Sequence, residues 1–362
     1  MSESATASAP AKTQPKAKKN RLSSGFFRFV LTRFLLIIPT VFILVTIVFF
    51  VMRATGDPIS AAMGGRLTPE ELQRRIHAAG YDRPLVVQYL DYLGGLLRGD
   101  LGTTLTDNQP VTTILTRYGA ATFELAFLSL IVALIVGIGL GRLAARRRDH
   151  AADAGIRVFA ILCYATPVFF LGLMLKLVFA VWLNVLPPSG RSSFASDMQF
   201  QRLGSPTGFY LIDAFQLGDM SVLVDVLRHA VLPALALGLL TAGVFIRLVR
   251  TNVISTYTSG YVEAARSRGV SEGRLLSKHA WRPAMIPIIT VMGMQIALML
   301  AGAVLTETTF EWKGLGFMLS QYLKQRDFVA VQGIVILIAI IVAVVNFIVD
   351  VISALIDPRV RY

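Results

Sequence analysis

Six apolar runs constrain this chain more than any other feature. They cover about 29–52, 121–141, 158–183, 231–252, 284–306 and 329–356. A helix of about 20 such residues crosses a hydrocarbon core of roughly 30 Å, and no soluble fold needs several of them. Composition agrees. Of the 362 residues 54% are apolar and 16% charged, against about 25% charged in soluble domains. The expectation is an all-α integral membrane protein with six transmembrane helices. The first run is longer than the roughly 7–15 apolar residues of a signal peptide. No small-residue cleavage site follows it, so it reads as a retained first span over 25–53.

The net charge is +13, but its distribution speaks for a membrane rather than nucleic acid. Arg142, Arg146, Arg147, Arg148 and Arg157 lie between the second and third runs. Arg266, Arg268, Arg274, Lys278 and Arg282 lie between the fourth and fifth. Lys16, Lys18, Lys19 and Arg21 precede the first run, and Arg359 and Arg361 follow the last. With six spans all four groups fall on one side, and short basic loops mark the cytoplasm. The expected topology is therefore N-in/C-in.

Residues 1–24 hold little that can bury surface and read as a disordered basic tail, with contact to anionic headgroups as the alternative. The segment 54–120 reads as a small external helical cap. In it, Thr68, Pro69 and Glu71 form a helix start with a capping box. Gly80 supplies a left-handed stop. A second helix runs from Pro84 to near Gly99 with Leu85, Tyr89, Leu93 and Leu96 on one face. The rest, 121–362, is a core domain of five spans that includes a loop at 253–283.

Several chemistries are absent. There is no Gly-Lys dipeptide, so a phosphate-cradling P-loop is excluded. The histidines His77, His150, His229 and His279 are far apart and no Cys/His cluster has zinc spacing. Gly269-Val270-Ser271-Glu272-Gly273 matches Gly-x-Ser-x-Gly, but no strand precedes it, as a nucleophile elbow requires. No catalytic or metal-ligating residue is expected, and no cofactor in this chain. Cys163, inside an apolar run, reads as a small core residue.

The loop after the fourth run is the informative segment. Gly260 to Arg268 reads as a short helix with Glu263 early and Arg266 late, a polarity that suits the helix dipole. Gly269 can take positive φ at its end, and Ser271 can cap the next helix. Ala264, Ala265 and Gly269 form a small face that allows close approach by another protein. Two readings stand: a lever that docks a partner, or an amphipathic loop lying on the membrane.

Glu263-Ala264-Ala265, with Gly269 downstream and then Ile286-Pro287, resembles the EAA motif of binding-protein-dependent ABC importer permeases. Gly260-Tyr261, Ala265 through Ser271 and His279-Ala280 resemble the dipeptide/oligopeptide/nickel branch. Further matches in order are Gly56-Asp57-Pro58, Asp82-Arg83-Pro84, Gly99-Asp100-Leu101-Gly102, Thr122-Phe123-Glu124-Leu125, Ala165-Thr166-Pro167, Leu232-Pro233, Gly314-Leu315-Gly316 and Asp357-Pro358-Arg359. Two departures are Lys313 where the family often has Pro, and Pro283 where it often has Asn. The resemblance implies a type I importer bundle in the bacterial inner membrane. It implies a second homologous permease, two ATPase subunits or domains that bind ATP and magnesium, and an extracytoplasmic substrate-binding protein. It gives Glu263, Ala264, Ala265, Arg266, Gly269 and Ser271 the role of a coupling helix docked on the ATPase. The implied cargo is peptide. Nickel or another small solute carried by the same architecture is the alternative, as is an ion-gradient-driven secondary transporter.

Charges within the runs need partners. Lys176, inside the third run, is a candidate for the substrate path; snorkelling or a structural pair is the alternative. Glu124, Glu307 and Asp350 are expected to pair within the bundle. Gly137, Gly139 and Gly141 are expected to let helices pack closely.

Overall fold

The computed structural model describes residues 21–356 except 66, 204 and 205. The expected tail lies outside the described residues up to position 20, as does the Asp357-Pro358-Arg359 match. The described residues are helical apart from turns and one isolated bridge, between Thr103 and Pro110.

In chain order, α1 is Arg21–Ala54, α2 Pro58–Met63, α3 Pro69–Ala78, α4 Leu85–Leu97, α5 Val111–Arg146 and α6 Ala151–Ala165. Then follow α7 Val168–Leu175, a π-helical segment Lys176–Trp182, α8 Phe194–Phe200, α9 Tyr210–Leu217 and α10 Met220–Tyr257. The chain continues with α11 Gly260–Ser267, α12 Glu272–Arg274, a second π-helical segment Leu275–Ala280, α13 Trp281–Phe310, α14 Leu315–Lys324 and α15 Phe328–Ile356.

Among the described residues four helices (α1, α5, α10 and α15) are long and apolar enough to cross a membrane without a break. Two bent pairs raise the number to six if each pair is one span. The third apolar run differs from a straight span. It breaks between Ala165 and Val168, and its two arms meet at 109°. The cause is local. Pro167 lacks an N–H and disfavours helical geometry at the residue before it; Thr166 has ψ 126. Its hydroxyl covers the Leu162 carbonyl at 2.6 Å. The fifth run bends by 44° between Met285 and Pro287.

α10 is the centre of the bundle: 61% of its apolar window is buried, against 11% in α1. It packs most closely on α5. A Cβ at Gly137 would lie 2.5 Å from Phe245 Cβ, and one at Gly141 would lie 2.7 Å from Val249 Cβ. Gly139 meets nothing within 4 Å, so the close-packing stripe is 137 and 141, one helical turn apart, without 139. α1 sits at the edge and pairs with α15, through an edge-on contact of Phe34 with Phe347 and an Arg33–Asp350 ion pair at 3.3 Å.

Contacts define two ends. At the basic end Arg250 forms a bidentate pair with the fully buried Asp153, at 2.6 and 2.7 Å. There Arg142 also lies over the Trp281 ring. At the opposite, capped end the helices α2–α4 follow α1. Thr68 caps α3 through the Glu71 N–H. Glu71 does not return the bond; it pairs with Arg74 and Arg75, so the capping box is half formed. Gly80, at φ +70, closes α3 with a Schellman pair: its own N–H reaches the His77 carbonyl, and the Tyr81 N–H reaches that of Ile76. The inward face of α4 is centred on Gln88, Tyr89 and Tyr92, whereas Leu85 is exposed. Tyr89 bonds Thr46 of α1 at 2.6 Å, which lays α4 along the edge span.

Candidate functional site: a braced loop and a polar lock

The loop between α10 and α13 folds as a compact hairpin. Val262, Ala265 and Leu275 are buried together, with Tyr257 and Val270 against them. The positions of Val262 and Ala265, three apart, give α11 one buried stripe. Its C-terminus is a Schellman motif: the Gly269 N–H reaches the Arg266 carbonyl at 2.9 Å and the Val270 N–H reaches that of Ala265 at 3.3 Å. Gly269 has φ +81, which an L side chain rarely adopts.

A polar brace closes the hairpin from outside. Arg266 Nε donates to Glu272 Oε1 at 2.7 Å, and the guanidinium lies 5.0 Å from the Tyr257 ring centroid. The Tyr257 hydroxyl bonds the same carboxylate. The end of α10, the helix α11 and the start of α12 are thereby tied together. Leu276 and Trp281 then pack with Val249 and Val253 of α10 and Ala284 and Ile288 of α13.

The sequence-expected residues divide into two groups. Glu263, Ala264, Gly269 and Ser271 are exposed, and Glu263 lies in the first turn of α11. Ala265 is 5% exposed and belongs to the hairpin's own core. The small outward face is therefore Ala264 and Gly269 without Ala265. Arg266 is engaged by Glu272. Ser271 holds the cap position of α12, but its hydroxyl makes no cap bond; its carbonyl accepts from the Arg274 and Leu275 N–H groups.

At the capped end a polar lock joins distant segments. Arg191 Nη2 donates to Glu124 Oε2 at 2.5 Å, with both side chains buried. The same guanidinium lies 3.7 Å from the Tyr210 ring centroid and 5.4 Å from that of Trp312. Glu124 Oε1 accepts the Leu211 N–H at 2.7 Å. Alongside, Glu307 accepts from Thr122 at 2.6 Å and from the Phe317 N–H at 2.9 Å, and the Trp312 indole donates to the Ala121 carbonyl. Asp327, fully buried, accepts the N–H groups of Leu105 and Thr106. Above Arg191 opens a cavity of about 610 Å3 whose walls include Arg117, Lys313, Asp197 and Glu311.

Lys176 reaches this end of the bundle. Its ammonium donates to the Thr309 carbonyl at 2.9 Å and sits 5.6 Å from the Phe310 ring. That is a structural pair between the first π-helical segment and the end of α13.

A family model for the binding-protein-dependent transport system inner membrane component matches residues 137–362. The chain belongs to that family. A model for the N-terminal part of such membrane components matches residues 26–125 of the permease. It is 37% identical over 336 residues to the di/tripeptide transport system permease protein DppB of Pseudomonas aeruginosa, covering 92% of this chain and 98% of the relative. It is 37% identical over 338 residues to the dipeptide permease DppB of Escherichia coli, covering 92% and 99%. To the glutathione permease GsiC of Salmonella choleraesuis it is 31% identical over 335 residues, covering 92% and 99%. The permease is thus a multi-pass inner-membrane transport component and not an enzyme.

Sequence reasoning missed four partners in this permease. Glu272 and Tyr257, which hold Arg266, stand outside the periodicity of α11. Arg191 was one arginine among mixed charges. Asp153 carried a usable signal, one of two acids (with Asp149) in the most arginine-rich loop, where a buried acid needs a cation.

Proposed function

We propose that this permease lines the pore of an ATP-driven importer for peptides and that the α11 hairpin docks its ATPase. The observation that carries the docking is the hairpin itself: exposed Glu263, Ala264 and Gly269 on a unit braced from within and packed between α10 and α13. The peptide cargo follows the names of relatives that match over nearly their whole length. In this reading each bent pair is one span, which gives six. Both termini and the basic end face the cytoplasm, in keeping with the arginines there. A second, related permease completes the pore. Two ATPase subunits or domains bind ATP and magnesium at the basic end, and a substrate-binding protein delivers peptide at the capped end.

Closure of the ATPases pushes on α11. The hairpin does not yield, because its core and its Arg266–Glu272 brace keep its shape, and α10 and α13 move with it. The capped-end lock, with Lys176 as a further tie, keeps those helices in register while they move. ATP hydrolysis in the partner then resets the state.

The test is co-purification with paired transport assays. Tagged permease is expected to retain ATPase subunits in mild detergent and to support uptake of a labelled dipeptide in membrane vesicles given ATP. Glu263→Arg is expected to release the ATPase or to leave hydrolysis running without uptake. Uptake that follows an ion gradient with no ATPase bound would overturn the reading.

A further inference from the structure

A second polar cavity, of about 330 Å3, lies at the capped end between α1, α4 and α15. Its size is within the roughly 300–1,000 Å3 of small-molecule pockets. Four buried polar atoms lining it make no hydrogen bond to the protein: Arg53 Nε, Gln88 Oε1, Tyr92 Oη and Gln332 Nε2. Gln88 is 9% exposed and Gln332 6%. Tyr92 and Gln332 are neighbours on this wall. Leaving such groups unpaired in the interior is unfavourable, and four of them converge here.

The wall has a definite polarity. Arg53 is held between the Phe49 and Tyr81 rings, at 5.1 and 4.5 Å from their centroids, and the nearby Asp91 is engaged by Arg83. Arg53, Tyr92 and Gln332 offer donors and a positive charge. The Gln88 amide orientation is fixed, because its Nε2 donates to the Tyr81 and Arg83 carbonyls, so its oxygen points inward as an acceptor. Asp91 and Asp100 add carboxylates to the same lining. The complementary ligand is an anion joined to an N–H-bearing cation.

The surroundings say where that ligand comes from. Ile47, Phe50 and Val51 of α1 and Val86 and Leu90 of α4 are exposed apolar side chains on the two helices that wall the cavity. In an inner-membrane protein such surfaces meet acyl chains. Arg53 lies at the end of the α1 span, at headgroup depth.

We propose that this cavity binds the headgroup of one phosphatidylethanolamine molecule, with the phosphodiester at Arg53, Tyr92 and Gln332 and the primary ammonium at Gln88 and the carboxylates. The lipid then staples the edge span α1 to α4 and α15.

The test uses the full-length permease, with any partner subunits that co-purify, in mild detergent. Native mass spectrometry with added palmitoyl-oleoyl-phosphatidylethanolamine is expected to show one retained lipid per chain, and phosphatidylcholine, whose quaternary head has no N–H, is expected to be retained less. Arg53→Gln and Gln332→Leu are each expected to lower retention about tenfold, as loss of one good hydrogen bond to a charged group does. Tyr92→Phe, which keeps shape, is expected to give a smaller drop with unchanged elution volume. Equal retention of the two lipids, or variants that hold lipid like the wild type, would overturn the proposal. Displacement of the lipid by O-phosphoethanolamine or inorganic phosphate at matching concentration would assign the cavity to a free solute instead.

Discussion

Arg266 and Glu272 clasp each other across the Gly269 turn, Nε to Oε1 at 2.7 Å, with the Tyr257 hydroxyl on the same carboxylate. The residues bracket the helix end, so their pairing fixes the angle at which α11 leaves and α12 begins. Both side chains are partly solvent-exposed, and the pair acts on geometry more than on stability. Glu272→Ala is expected to leave the permease assembled and to lower uptake about three- to tenfold, the range of mutations along a coupling element. The exchange Arg266→Glu with Glu272→Arg is expected to recover most of it. Uptake and ATPase rates in reconstituted vesicles check this, and an exchange no better than the single variant would remove the brace from the mechanism.

Gly269→Ala places a Cβ at φ +81. Steric room is not the obstacle, since nothing lies within 4 Å. The backbone conformation itself costs roughly 1–2 kcal/mol for an L residue. Hydrogen exchange of the Gly269 and Val270 amides, both bonded in the Schellman pair, is expected to speed up about tenfold. Unchanged exchange would show that the turn tolerates the strain.

Arg191→Met leaves Glu124 buried, with the Leu211 N–H but without its cation. Breaking a buried pair from one side costs roughly 3–5 kcal/mol, so a clear drop in thermal midpoint in detergent is expected. Glu124→Gln added to Arg191→Met removes the orphaned charge and is expected to recover more than half of the loss. Additive effects would mean that the two residues are not energetically coupled.

Gly137→Val is expected to split α5 from α10, because the new Cβ falls 2.5 Å from Phe245 Cβ. Overpacking of this kind costs about 1–3 kcal/mol. Gly139→Val, two residues away and facing open space, is expected to accumulate in the membrane like the wild type. Comparing the folded yield of the two variants checks the assignment.

Lys176→Met removes the donor to the Thr309 carbonyl. The expected result is a modest loss of thermal stability, about 1 kcal/mol, with the uptake preference among charged and neutral dipeptides unchanged. A change in that preference would instead place Lys176 on the substrate path.

What the sequence made legible was local. The apolar runs, the stop at Gly80 and the turn at Gly269 each depend on a few adjacent residues, and each can be read from them. The third run shows the limit. Pro167 was in plain view, but hydropathy adds up residues without regard to direction, so a run broken at 109° scores like a straight one. Smallness at Ala265 suggests an outward face open to close approach; the same smallness lets it pack with Val262 and Leu275. The capped-end lock was beyond reach for another reason. Asp327 meets Leu105 across 222 positions, and a contact between single residues so far apart leaves no periodic trace.

The pairing of α1 with α15, sealed by Arg33 and Asp350, joins two spans made far apart in time. At roughly 5–20 residues per second of synthesis, α1 leaves the translocon on the order of tens of seconds before its partner exists. During that interval Arg33 sits without its final partner Asp350. The nascent chain therefore needs lipid or an insertion chaperone to shelter α1, and truncations that lack α15 are expected to be cleared by membrane proteases.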